Sequence, residues 1–237
     1  MSSANKIADI IKSATLIEKS EQKAVVISFS LIFVLMAAYY MLRPVRDAMA
    51  SDWSNTEISV LWNIQFFLSL TMVAIYGAAV SKIKFRYLVP TVYGVFALSF
   101  VSFHFGSALV ADQVLLDKGF YLWLSLFSLF HVSVFWSLMA DLYNQEQCQR
   151  LFGFIAAGGS AGALLGPSLT AALAVPLGPT NLLPVSALFL SGAVFCIHRL
   201  RAATGPRPGR ARCQARARRR SAAVCWPASP RWRARPT

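Results

Sequence analysis

The sequence predicts an all-α membrane protein with six transmembrane helices, and three observations carry that prediction. Only 14% of its 237 residues are charged, where a soluble domain holds about a quarter. Hydrophobic residues make up 56% of the chain, and the mean hydropathy is +0.52. Six stretches are continuously apolar over about 18 residues or more, without the period-two alternation of a barrel strand. Backbone amides in hydrocarbon must be paired within the segment, so these stretches are expected to be helices.

A helix rising 1.5 Å per residue needs about 20 apolar residues to cross a core of about 30 Å. The qualifying stretches are 24–42, 58–80, 87–111, 119–140, 153–175 and 181–198. They give a transmembrane domain over 24–198, preceded by a cytoplasmic amphipathic segment over 1–23 and followed by a tail over 199–237. In the first segment Ile7, Ile10, Ile11, Ala14 and Ile17 recur at helical spacing beside Lys12, Glu18 and Lys19, as in a helix lying on a membrane surface. The apolar run from Ala24 is too long for a signal-peptide core, so the first span is expected to stay uncleaved.

The net charge of +13 is concentrated at one end. Residues 1–198 hold 11 basic and 10 acidic groups, whereas 199–237 hold 12 Arg and no acid. The tail also lacks Lys, Asn, Ile, Phe and Tyr, and is mostly Arg, Ala, Pro and Ser. That bias fits either a disordered or frameshifted segment, or a basic tail that binds anionic lipid or nucleic acid. Cys148, Cys196, Cys213 and Cys225 show no metal-ligand spacing. No metal, cofactor or specific nucleic-acid partner is expected.

Loop charges set the orientation. Lys6, Lys12, Lys19, Lys23, Lys82, Lys84, Arg86 and Arg150 fall on one side, and only Arg43, Arg46 and Lys118 on the other. Both termini are therefore expected to be cytoplasmic, in a multi-pass protein of a bacterial inner membrane.

The densest polar cluster follows the first span, at Tyr39, Tyr40, Arg43, Pro44, Arg46 and Asp47. On a helix Arg43 and Asp47 are four apart and can pair, and Pro44 offers a local break. The cluster reads either as an interfacial anchor or as an anion site, because charges beside hydrocarbon usually face a cavity or a partner. In the fifth span Gly158, Gly162 and Gly166 recur every four residues, with Gly153 before them and Pro167 after. They form a flat stripe for close helix packing, with an optional bend. Lys82, Arg86, Asp141, Glu146 and Arg150 are candidates for a cytoplasmic gate, Glu146 and Arg150 being spaced to pair on one face. His131 lies deep in the fourth span, as a hydrogen-bonded structural residue or a proton-coupling group.

Tyr39, Leu42, Arg43, Arg46 and Asp47 resemble the first-helix signature of the ATP/ADP translocases of endosymbionts and plastids, a branch of the major facilitator superfamily. That family has a nucleotide-binding lysine at the position of Arg46 and an acid at that of Pro44. Leu151, Phe152, Gly153 and Ala156 resemble the same branch. Gly153, Gly162, Gly166 and Pro167 are similar to the fifth-helix motif of facilitator antiporters, whose final glycine pair is here Thr170 and Ala171. Gly77, Lys82 and Arg86 echo the loop between the second and third helices, with Ser81 in place of its acid.

The resemblance implies the first half of a twelve-helix facilitator, truncated, and completed by a second half or a second copy. The implied function is secondary active transport, as an exchanger of an organic anion such as a nucleotide. Tyr39, Arg43, Arg46 and Asp47 would bind the small-molecule substrate. No Gly-x4-Gly-Lys-Ser/Thr loop is present, and no enzyme activity is expected. The alternatives are an accessory or inert six-helix membrane fragment and, more remotely, an intramembrane serine protease using Ser160 and His198.

Overall fold

In the computed structural model the described residues are 21–110 and 112–204, apart from the side chain of Phe85. The amphipathic segment expected over 1–23 lies outside them except for residues 21–23, as does the tail beyond Thr204. The described chain forms six α-helices: α1 Gln22–Ala50, α2 Asn55–Lys82, α3 Phe85–Leu109, α4 Gln113–Leu142, α5 Gln145–Leu177 and α6 Leu182–Thr204. A 3-10 turn, Pro179–Asn181, precedes α6, and no strand occurs among the described residues. All six helices are long and apolar enough to cross a membrane, which makes this an all-α, six-helix, multi-pass membrane protein.

Three of the helices start at polar caps ahead of their apolar stretches. Ser54 accepts a hydrogen bond from the Glu57 amide while its own amide donates to the Glu57 carboxylate, so α2 starts at Asn55. Asn144 and Gln147 form a second such box ahead of α5, and the Asp112 carboxylate accepts from the Leu115 amide at the start of α4. The last helix passes the expected boundary at His198 and is described to Thr204.

The local break that Pro44 offers is not used: α1 runs through it to Ala50. Proline removes one backbone donor, and Met41, Leu42 and Val45 around it are buried in packing that holds the turn together. At 29 residues α1 is about 44 Å long, more than the hydrocarbon core needs, so its last turns carry Arg43, Arg46 and Asp47 to the interface.

The core is organised around α1, which packs most extensively on α5 and next on α4. Lipid tails are as apolar as leucine, so helix pairing here rests on fit and interhelical hydrogen bonds. The α1–α5 seam supplies both. Gly158, Gly162 and Gly166 are buried against α1, where added Cβ atoms would run into the Phe29 carbonyl oxygen, the Phe33 carbonyl oxygen and Tyr40 Cβ respectively. One turn on, Thr170 Oγ1 donates to the Met41 carbonyl at 2.7 Å. Ser186 of α6 donates to the Ala38 carbonyl at 3.0 Å, and Ser28 Oγ meets the Tyr143 hydroxyl at 2.9 Å. Between α3 and α4 the fit is aromatic: Phe127 packs on Phe96 and Phe100 at 4.8 and 5.5 Å between ring centroids, and Trp123 Nε1 donates to Ser99 Oγ at 2.7 Å. By contrast α2 buries only Leu61.

Candidate functional site

The site is built at one end of α1, α2 and α4. Arg46 is largely covered, with its side chain 15% exposed. Its Nε and Nη2 donate to a single oxygen of Asp47 at 2.9 and 2.6 Å, and its Nη1 donates to Ser125 Oγ on α4 at 3.2 Å. The guanidinium lies 5.2 Å above the Tyr121 ring, a cation–π contact strengthened by partial desolvation. Arg43 Nε stands 3.7 Å from the second oxygen of the same carboxylate, forming the expected four-residue pair. One carboxylate is thus shared by two guanidinium groups.

The junction continues onto α2 through residues that the sequence pattern does not single out. Lys118 pairs with Glu57 at 2.8 Å and lies 5.9 Å from the Trp53 ring centroid. Trp53 packs edge-on to Tyr121, and Trp62 Nε1 donates to the Tyr121 hydroxyl at 3.1 Å. Tyr121 is therefore the hinge of the cluster, reached from α1 by Arg46 and from α2 by Trp62. Three cations face two carboxylates here, and Arg43, whose side chain is 47% exposed, is the most open of the three cations.

From this junction a ridge runs along α4 at four-residue steps: Tyr121, Ser125, Leu129, Ser133, Ser137 and Asp141. From Leu129 onward every member is exposed. The serine hydroxyls donate to carbonyls one turn back, at 2.8 Å for both Ser133 and Ser137, which leaves their oxygen lone pairs outward. The exposed residues of α3 include large apolar side chains, with Val95, Leu98, Phe105 and Leu109 between 51% and 84% exposed, alongside the polar Thr91 and Ser102. The exposed face of α4 is richer in serine, and that of α3 richer in large apolar side chains.

Tyr39, expected beside the arginines, faces the core instead. It is 8% exposed, with its ring centroid 4.7 Å from His131 and 6.2 Å from Phe127. Its position one turn before Arg43 points it toward α4 and away from the open end. His131 is buried, with Nδ1 at 3.0 Å from the Phe127 carbonyl, and its own carbonyl accepts from Tyr93 at 2.8 Å. These contacts match the hydrogen-bonded structural reading of His131.

The expected gate residues divide into two groups at the other end. Arg150 pairs with Glu21 at 3.2 Å, and Gln147 donates to the same carboxylate at 2.5 Å. The expected Glu146–Arg150 pair is not formed: Glu146 makes no ion pair among the described residues. Glu21, only 12% exposed at its side chain, offers Arg150 a better shielded partner, while Glu146 sits in solvent in the first turn of α5. Arg86 and Asp141 are the charged neighbours of Arg201, which donates to the Arg86 carbonyl. Lys82, at the exposed end of α2, makes no ion pair among the described residues. Gly153 and Pro167 are exposed on α5, away from the seam that Gly158, Gly162 and Gly166 form with α1. Ser160 and His198 are both exposed, and no hydrogen bond joins them. No cluster of metal-ligating side chains occurs among the described residues.

Compared with family models, with curated proteins and with solved structures, the chain finds no match.

Proposed function

We propose that the chain forms one half of a secondary transporter of the major facilitator type, working as an exchanger of an organic anion. The observation that carries this reading is the polar ridge of α4, exposed across an otherwise apolar span and joined at one end to the Arg43–Arg46–Asp47 cluster. Polar side chains within a span usually face water or the interior of a bundle. A second six-helix half, from another copy or another chain, would turn this open face into a cavity. The nearly unburied α2 supports the same pairing. Nucleotides are the substrate class suggested by the first-helix resemblance, with Arg43 and Arg46 as charge partners. The excess of basic residues on the side of the α1 start supports both termini in the cytoplasm, with the protein in a bacterial inner membrane.

The test is exchange by the full chain in proteoliposomes loaded with unlabelled ADP and exposed to radiolabelled ATP. Accumulation above protein-free vesicles, lost in Arg46→Gln, is expected. Uptake equal to protein-free vesicles for nucleotides and for small carboxylates would contradict transport.

A second reading, an accessory or inert membrane fragment, is favoured by one observation, the change of composition to 12 Arg and no acid over 199–237. It predicts a monomer in mild detergent and no exchange.

A further inference from the structure

Lys23 in the first turn of α1 and Arg199 near the end of α6 line one groove of about 510 Å³. Six crossings separate these two helix ends, so they lie on the same side of the membrane. The floor between the cations is apolar, formed by Val26, Ile27 and Ala202, and no acid among the described residues lines the groove. The acid nearest in sequence, Glu21, is turned to α5, where Arg150 and Gln147 hold it. Neither Lys23 nor Arg199 makes an ion pair among the described residues. The Arg199 guanidinium rests 5.0 Å from the Phe195 ring centroid, one turn deeper on the outer face of α6.

We infer that this groove is a binding site for an anionic phospholipid, whose phosphodiester sits between Lys23 and Arg199 and whose upper acyl chain lies along Val26 and Ile27. Charge complementarity selects this occupant. Two cations at headgroup level with no carboxylate between them among the described residues call for a negative group. An apolar floor one turn deeper calls for a chain rather than a soluble anion. Val26 is 58% exposed, so this floor is open to the lipid rather than sealed by another helix. The inference goes beyond transport and does not depend on it.

The experiment is native mass spectrometry of the full chain released from detergent with equimolar phosphatidylglycerol and phosphatidylcholine. Wild type is expected to retain phosphatidylglycerol preferentially. Lys23→Gln and Arg199→Gln should each weaken that retention about fivefold. Val26→Trp, which fills the groove and keeps both cations, should also lose it, whereas Lys23→Arg with Arg199→Lys should keep it. Residues beyond Thr204 are the same in every variant, so generic attraction by their arginines cancels. Equal retention of the two lipids by wild type would overturn the site. So would an unchanged preference in Lys23→Gln/Arg199→Gln, or in Val26→Trp if the glutamine variants do not fold. Displacement of the lipid by soluble glycerol phosphate at equal concentration would also overturn it, by showing a site for phosphate alone.

Discussion

Gly162 lies so close to the main-chain carbonyl of Phe33 that no side chain fits between them. The hydrogens on the Gly162 α-carbon are the only groups small enough to face that oxygen, and such contacts are themselves weakly attractive. The expected outcome for Gly162→Leu is a loss of about 1–3 kcal/mol or a failure to pack α5 on α1, measured by thermal unfolding in mild detergent. Gly153→Ala is the control. Nothing lies within 4 Å of its new methyl group, so it should cost nothing and be neutral or stabilising by up to about 1 kcal/mol through helix propensity.

Thr170 continues the same seam as a hydrogen-bond donor. Thr170→Val removes the 2.7 Å bond to the Met41 carbonyl at nearly constant volume. A cost of about 0.6 kcal/mol is expected, typical of single interhelical hydrogen bonds in membranes. Ser168, which is exposed and bonds only within α5, should tolerate valine without measurable loss.

Glu21 and Arg150 tie the start of α1 to the start of α5. A double-mutant cycle between Glu21→Gln and Arg150→Gln should show a coupling of about 1 kcal/mol, the upper end for a partly exposed pair. A cycle between Glu146→Gln and Arg150→Gln should show none. Equal couplings would restore the pairing suggested by spacing alone.

The six spans are legible in the sequence because hydrocarbon imposes a length of continuous apolarity that composition exposes directly. Their ends are less legible from hydropathy, since a helix does not stop where the lipid does. Ser54 with Glu57 and Asn144 with Gln147 set the true starts, and those cap spacings were available to be read. The Arg43–Asp47 pair and the glycine stripe follow from four-residue spacing on one helix. Partners from other helices do not. Ser125 beneath Arg46, Glu21 beside Arg150 and the inward turn of Tyr39 depend on how α1 is rotated against α4 and α5, which no local pattern specifies. The polar ridge of α4 is not legible in the sequence, because which serines face outward depends on how α4 is rotated against α1 and α3.

Asp47 occupies the position that an incoming anion would take between Arg43 and Arg46. If these arginines bind substrate, Asp47 competes with it, and Asp47→Asn should tighten binding of ATP to the purified chain. The pair is half exposed and screened, so the gain should be about two- to fivefold. Weaker binding in Asp47→Asn would show that the carboxylate positions the arginines instead of competing for them.

Water access to the α4 ridge is the most direct test of a transport path along this face. Single cysteines at Ser133 and Ser137, in full-length chain with the four native cysteines replaced by serine, are exposed to a membrane-impermeant maleimide in proteoliposomes. Leu98→Cys on the oily face of α3 serves as the reference. Labelling at 133 and 137, slowed by nucleotide and absent at 98, is the expected result. If positions 133 and 137 stay as unreactive as 98, the ridge faces lipid, and the six helices enclose no path for an anion.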